Sequence, residues 1–325
     1  MVTQSVLSLY DAALASVAYY RVPNSGCIRI AGEHRLDFLQ RQTSNDVNLL
    51  TSDSAVLTVL TTPAGRIMDV LYLLPDLDTV LALTLPGVAA DTTSFLYSRI
   101  FFMDKVELQD QSKFFVQVDL IGPCAESILD LLGFEGAPET NHICSSTLGT
   151  DQLLMLGYER SIGLGYRLIA STEAWNEVEK ILTYSGTPIM DNETYHVLRV
   201  ESGIPYVDHE LTQDFTPLEI GLDTAVSGEK GCYTGQEVLA RQMTYGKVIH
   251  NLCGIRLESE IEKGSRIWAD GRKVGELTSV AYSPRYNWLG LAVINRRHNK
   301  TGSELLVGNT AEGGVPAKIV PLPFR

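Results

Sequence analysis

Apolar and polar positions alternate along this chain with two different periods, and the switches between them mark its elements. Val6 to Ala18 sets Leu7, Tyr10, Leu14 and Val17 on one stripe at helical spacing, which predicts an amphipathic first helix. Gly26-Cys27-Ile28-Arg29-Ile30-Ala31 alternates with period two and reads as a short strand. Glu33 to Gln42 returns to the helical period with Leu36, Phe38 and Leu39 inward, and ends in the polar turn Thr43-Ser44-Asn45-Asp46. Ala55–Leu60 and Ile67–Leu74 are two apolar runs joined by Thr61-Thr62-Pro63-Ala64-Gly65-Arg66, the pattern of a hairpin. Val80 to Leu85 extends that sheet, and Ala89 to Phe101 predicts a helix.

Further on, Phe114 to Ile121 predicts a strand and Cys124 to Leu132 a helix stopped by Gly133. Gly136 to Thr147 reads as a loop. Gln152–Tyr158 and Gly165–Ala170 are strands about a glycine-bearing turn, followed by helices over Thr172–Thr183, capped by Ser171, and Asp191–Glu201. From about Val248 the long helical periods stop. Short strands separated by Gly, Asn and Pro fill residues 248–325, as in a small antiparallel barrel or sandwich. Strands and helices mixed without strict alternation predict an α+β fold rather than a doubly wound sheet.

Composition narrows the partners. Twenty-six Lys and Arg against 39 Asp and Glu give a net charge of −13, which disfavours gripping nucleic acid or a membrane surface through the overall field. The five cysteines, Cys27, Cys124, Cys144, Cys232 and Cys253, are scattered without a C-x-x-C pair. That predicts neither a disulfide scaffold nor a cysteine-rich zinc site, and fits a reducing cytosol. No apolar run approaches the roughly 18 residues of a membrane span. The first stretch has no Lys or Arg before Arg21 and is interrupted by Asp11, so it is not expected to be a targeting signal.

A few residues carry chemistry. Asp69 sits inside the apolar run Ile67–Leu74 on the face of Ile67, Leu71 and Leu73, so its carboxyl is either desolvated with a raised pKa or paired, with Arg66 as the nearest cation. Glu201 falls on the inward stripe of its helix near the C-terminal end, where the helix dipole prefers cations. A ligand rich in N–H groups could compensate it, and so could Arg199 or another arginine. In Gly228-Glu229-Lys230-Gly231-Cys232-Tyr233-Thr234-Gly235-Gln236-Glu237, Thr234 and Glu237 form a predicted capping box, preceded by glycines suited to a tight turn. Cys232 would then lie near a helix start with Lys230 two residues away, and both would favour its thiolate.

Asp208-His209-Glu210 reads as a solvated loop rather than a metal site, because adjacent side chains rarely converge on one ion. The other histidines share no ligand spacing, and Arg296-Arg297-His298-Asn299-Lys300 reads as a solvated turn. Nucleotide-binding glycine motifs and a nucleophile elbow are absent from the sequence.

The string Lys230-Gly231-Cys232-Tyr233-Thr234-Gly235-Gln236-Glu237 resembles the signature of the YgfZ family, folate-binding relatives of the glycine-cleavage T-protein. Phe38-Leu39-Gln40 through Asp46-Val47, Ala64-Gly65-Arg66-Ile67-Met68-Asp69, Leu198-Arg199-Val200-Glu201-Ser202-Gly203, Val274–Ser279, Ser283-Pro284 and Leu322-Pro323-Phe324 resemble other motifs of that superfamily, so the likeness spans nearly the whole chain. It implies an aminomethyltransferase-like region over 1–247, in two subdomains, and a C-terminal β-barrel over 248–325. It further implies a ring-like arrangement about tetrahydrofolate. By resemblance, Asp69, Glu201, Arg199, Lys230 and Tyr233 would serve the folate, and Cys232 and Asp69 would be the chemically active groups.

Two departures separate the chain from the T-protein pattern. The paired acids of the latter are here Met68-Asp69, and its Y-T-G-E-x-G-Y stretch is Tyr158 to Tyr166 without the matching acid spacing. The resemblance therefore implies an accessory protein for iron–sulfur cluster assembly or repair and iron–sulfur-dependent tRNA modification, with iron–sulfur proteins as clients and tRNA as a further contact. The alternative is a folate-dependent one-carbon transferase or demethylating enzyme.

Overall fold

The computed structural model describes residues 4–160 and 163–324. Ser161 and Ile162, within the stretch that departs from the T-protein pattern, lie outside the described residues. The chain runs α1 (Gln4–Ala15), β1 (Ala18–Arg21), β2 (Gly26–Ala31), α2 (Arg35–Gln42), β3 (Val56–Thr61), β4 (Ile67–Asp76), β5 (Thr79–Thr84), α3 (Ala89–Tyr97) and β6 (Glu107–Asp110). It continues through β7 (Phe115–Ile121), α4 (Ala125–Leu131), β8 (Ile143–Leu148), β9 (Asp151–Arg160), β10 (Gly163–Ser171), α5 (Thr172–Tyr184), α6 (Asn192–Ser202) and α7 (Gln236–Thr244). The last stretch holds β11 (His250–Leu257), β12 (Arg266–Ala269), β13 (Arg272–Ser283), β14 (Asn287–Asn295), β15 (Glu304–Val307) and β16 (Val315–Val320).

Three β units result. One is a five-stranded sheet ordered β3-β4-β5-β2-β6, the second a five-stranded sheet ordered β1-β7-β10-β9-β8, and the third a closed barrel ordered β11-β14-β13-β12-β15-β16. Each shares an apolar seam with the other two. Cys27, Leu81 and Leu83 of the first sheet meet Leu156 and Ile169 of the second. Tyr20 and Ile121 of the second join α1, α6 and barrel residues Ala281, Leu289 and Leu291. Val59 and Ile67 of the first reach Val293 of the barrel. Three mutual seams close the units on one another, and an α+β ring of the kind implied by the sequence follows from them.

Local expectations shift where tertiary contacts choose the buried face. In α1 the buried side is Val6, Tyr10 and Ala13, while Leu7 is 40 % exposed, so the stripe is rotated from the one the spacing suggested. Leu36 faces outward although Phe38 and Leu39 are buried. The stretch 136–147, expected to be a loop, ends in β8, which pairs with β9 from Ile143↔Leu156 to Leu148↔Asp151. Strands β1 and β6 are four residues each, too short to carry a period of their own. α3 stops at Tyr97, short of Phe101, and Ser171 caps α5 as expected, accepting from the Ala174 N–H.

Candidate functional site

Asp69 is fully buried, as the pattern of β4 requires, and its partner is not Arg66. The β4–β5 ladder ends at Tyr72↔Leu83. Beyond it the Asp69 carboxylate takes over: Oδ1 accepts from the N–H groups of Val70 (2.8 Å) and Leu85 (3.0 Å), and Oδ2 from the Thr92 hydroxyl at 2.6 Å. Burial pushes its pKa up to about 7, against the opposing pull of these three hydrogen bonds. Arg66 turns instead to Glu219 and the Asp214 carbonyl.

Glu201 is also buried, and hydroxyls rather than Arg199 hydrogen-bond it, with Arg285 as the arginine whose charge acts on it. The Tyr10 hydroxyl lies 2.8 and 3.0 Å from its two oxygens. Burial raises its pKa, while hydrogen bonds from Ser283 and Tyr10 and the charge of Arg285 oppose the rise. Glu201 thus faces α1 and the barrel, whereas Asp69 faces the end of β5 and α3.

The Lys230–Glu237 string forms a different local structure from the predicted capping box. Helix α7 begins at Gln236 with Gly235 as its N-cap, at φ +84°, and no side chain caps it. Gly235 is required there twice over. The left-handed backbone disfavours any other residue, and a Cβ would lie 2.6 Å from the Thr61 hydroxyl and the Thr62 carbonyl. Thr61 also donates to the Thr234 carbonyl at 2.6 Å. Gly228 and Gly231 do not adopt positive φ.

Lys230 points inward and bridges to the other conspicuous motif. Its Nζ donates to the carbonyls of Thr43 (2.7 Å) and Asn45 (2.6 Å), so the Thr43–Asp46 turn serves as its socket. Burial brings its pKa down to about 8, partly offset by Asp46. The ammonium also lies 5.3 Å from the centre of the Tyr233 ring, whose hydroxyl burial pushes up to about 12. With its cation held by these carbonyls, Lys230 acts as an anchor, and Cys232 between the two anchors Lys230 and Gly235 is exposed.

A larger polar cluster joins α6, the turn after it and β13. Arg199 is 1 % exposed and Glu210 fully buried, and they pair at 2.9 Å. The expectation that Asp208-His209-Glu210 is a solvated loop holds for the exposed Asp208 and fails for Glu210: the turn folds back so that Glu210 can neutralise Arg199. Glu210 Oε1 accepts from Thr278 (2.6 Å) and Ser279 (2.5 Å), and its Oε2 also accepts from the Tyr206 N–H. The donors of Arg199 go to Glu210, the Ile204 carbonyl, Ser279 and His196 Nδ1. A ligand hydrogen bond from Arg199 would require one of these contacts to break.

Beside this cluster lies a cleft of about 440 Å³ lined by Tyr20, Asn192, Tyr195, Arg199, Tyr206 and His209, among others. Tyr20 and Tyr195 stack at 3.8 Å, Tyr206 sits edge-on to Tyr195 at 6.0 Å, and Arg199 lies 5.8 Å from the Tyr206 ring centre. Among the sequence-selected residues only Arg199 lines it. The tyrosines, His209 and Glu210 were missed as a group; Tyr195 and Arg199 share α6 at i,i+4 spacing, the one local signal that could have linked them. Among the described residues, no three His, Cys, Asp or Glu side chains come together as a metal site would require.

Comparison with known proteins agrees with this architecture. Residues 4–230 match the model of the GCVT N-terminal domain and residues 250–325 that of the glycine cleavage T-protein C-terminal barrel domain. A protein of Arabidopsis thaliana described as a candidate chloroplast transferase is 32% identical over 307 residues, covering 93% of this chain and 71% of that one. An aminomethyltransferase of Oceanobacillus iheyensis is 27% identical, covering 98% of this chain and 90% of its own. The crystal structure of the glycine cleavage system aminomethyltransferase T from Bartonella henselae superposes with a TM-score of 0.86 at 18% identity, covering 98% of this chain and 89% of that one, a likeness of fold. With both family domains matched in order along one chain and the barrel closed as that family's name describes, the protein belongs to the glycine cleavage T-protein family.

Proposed function

We propose that the protein is a folate-binding accessory factor of the YgfZ type, supporting iron–sulfur cluster assembly or repair and the tRNA modification that depends on it. The observation that carries this reading is the presentation of Cys232. A buried lysine and a conformationally obligatory glycine fix both sides of an exposed thiol. Such an arrangement suits a group offered to another protein or to a cluster in transit. Iron–sulfur proteins are the clients in this reading, tRNA is a secondary contact, and the compartment is the cytosol; the plant relative is named as chloroplastic.

Tetrahydrofolate is the proposed cofactor, and the aromatic cleft fits the flat part of such a molecule. Its volume is within the usual range for small-molecule sites, and its walls combine tyrosine faces with a few polar atoms. Tyr206 would meet the ring, with the buried, mutually stacked Tyr20 and Tyr195 and Arg199 fixing the wall behind it. When bound, the folate would supply a one-carbon carrier. Calorimetric titration with tetrahydrofolate, together with Glu201→Ala and Tyr195→Ala, tests the site: loss with Tyr195→Ala alone locates the ring in the cleft. In cells, Cys232→Ala is expected to lower iron–sulfur enzyme activity while the purified chain stays folded. Full complementation would remove the thiol from the reading.

The transferase alternative has its own motive. Asp69, with a pKa near 7, could exchange a proton at neutral pH, and several relatives are named aminomethyltransferase. Release of methylene-tetrahydrofolate from an amine donor, abolished in Asp69→Asn, would favour it.

A further inference from the structure

This acidic chain carries one stretch of surface where the charge reverses. Residues 240–250, the second half of α7 and the entry to β11, contain no Asp or Glu, and neither do residues 294–303, which turn from β14 toward β15. Their charged residues are Arg241, Lys247, Arg296, Arg297 and Lys300, all exposed. The fold brings the two stretches together. His250 pairs with Asn295 in the β11–β14 ladder, and the Arg296 N–H donates to the Ile249 carbonyl at 2.8 Å. The Arg296 guanidinium donates to the Gly246 carbonyl, and the Asn299 amide to the Asn251 side chain at 3.1 Å. The turn at 296–300 is solvated, as its composition suggests, but it is held against the end of α7.

Arg41, Arg66, Lys105, Arg167, Lys180 and Arg199 each lie in an ion pair, and Arg241 pairs with Glu237. Lys247, Arg296, Arg297 and Lys300 have no ion-pair partner among the described residues. Nearby acids are engaged elsewhere: Glu219 takes Arg66 and His250, and Glu276 takes Lys273. At physiological salt, exposed charges more than about 8 Å away are largely screened, so the net −13 of the whole chain does not cancel these four at contact range. Beside them stands Tyr245, 67 % exposed, with Lys247 Nζ 5.0 Å from its ring centre. So exposed a ring keeps π surface for a second ring to stack on.

We propose that this patch is a contact surface for an unpaired segment of tRNA, with one base stacked on Tyr245 and phosphates on Lys247, Arg296, Arg297 and Lys300. It rests on the tRNA contact in the reading above and gives that contact a place. Clustered cations and an open aromatic ring are the two parts a single strand needs, since every base has a π-face and every linkage a charge. The backbone bonds that fix both stretches reduce the ordering that binding must cost. An acidic protein is the rival occupant, but protein interfaces are depleted in lysine, and Lys247 and Lys300 supply half of the unpaired charge. Helix α7 then spans about 15 Å from the Cys232 turn to the RNA.

The test uses the full chain and a fluorescently labelled, unmodified tRNA transcript, with anisotropy read from about 50 to 200 mM salt. Four phosphate contacts on a single strand give a slope of about −3 in log affinity against log salt, so affinity should fall about fiftyfold over that range. Arg297→Gln with Lys300→Gln, at side chains that make no hydrogen bond among the described residues, should halve the slope. Tyr245→Ala should lower the affinity about tenfold and leave the slope unchanged. An unchanged slope in the double variant, or an equal loss when Arg99→Gln and Lys113→Gln remove two exposed cations beside the first sheet, overturns the patch. Equal affinity for a single-stranded DNA of the same length overturns RNA as its occupant. Failure of the transcript to bind at the lowest salt overturns the proposal, and retention of poly-glutamate by the same residues would then give the patch to an acidic protein. None of these measurements reads folate or Cys232, so their failure leaves the rest of the accessory reading to its own tests.

Discussion

Replacing Asp69 by Asn is expected to change how stability depends on pH. Asp69 is fully buried, and its folded-state pKa is raised to about 7 from a reference value of 3.8. Between those two pH values the folded chain holds a proton that the unfolded chain has released. The stability contributed by the neutral carboxyl is therefore fully present below about pH 4 and is lost as pH rises through 7. A gap of about three pH units corresponds to about 4 kcal/mol. Asparagine is nearly isosteric and cannot ionise. Its carbonyl can accept from Val70 and Leu85 as Oδ1 does, and its amide can donate to Thr92 once that hydroxyl turns. The two proteins should be similarly stable below about pH 4, and the variant should be more stable by several kcal/mol at pH 8. Urea unfolding followed by circular dichroism, at one-unit steps from pH 4 to 8, measures the difference. Parallel profiles for the two proteins would refute the reasoning, because they would mean that Asp69 is ionised in the fold across the whole range.

Three further outcomes are expected. Arg199→Met strands the buried Glu210 carboxylate and should cost about 3–5 kcal/mol in urea unfolding, with a smaller loss when Glu210→Met is added; additive losses would deny the coupling of the pair. Gly235→Ala places a Cβ against Thr61 and Thr62 in a left-handed backbone and should cost about 1–3 kcal/mol. It should also change the rate at which Cys232 reacts with a thiol reagent, and an unaltered rate would show that the turn does not depend on that glycine. Cys232→Ala removes an exposed side chain and should leave stability within about 0.5 kcal/mol, so a larger loss would indicate a packing role for the thiol.

Much of the fold was legible because its longer elements carry their own periodicity. The β3–β4 hairpin, α5 with its Ser171 cap and the barrel that begins at β11 each bury a face set by local spacing, and a local pattern can reveal such a face. The burial of Asp69 and Glu201 was legible for the same reason. Their partners were not: Thr92 lies 23 residues from Asp69, and Tyr10 lies 191 residues from Glu201. Spacing pointed to nearby arginines, whereas the fold supplied hydroxyls and backbone N–H groups from distant segments.

The sequence by itself determined the α+β class, the closing barrel and the family likeness, since these rest on periods and motifs written along the chain. Only the tertiary structure decided the direction of each polar side chain. Lys230, two residues from Cys232, turns into the Thr43–Asp46 turn, and Gly235 caps α7 in place of Thr234. Asp208-His209-Glu210 looks like a solvated loop along the chain, but a buried Arg199 eleven residues earlier requires a counter-charge and draws Glu210 inside. The physical reason is common to Lys230 and Glu210. A buried charge is satisfied by whichever groups the packed units bring within hydrogen-bond distance, and that proximity is set when the three units close on one another.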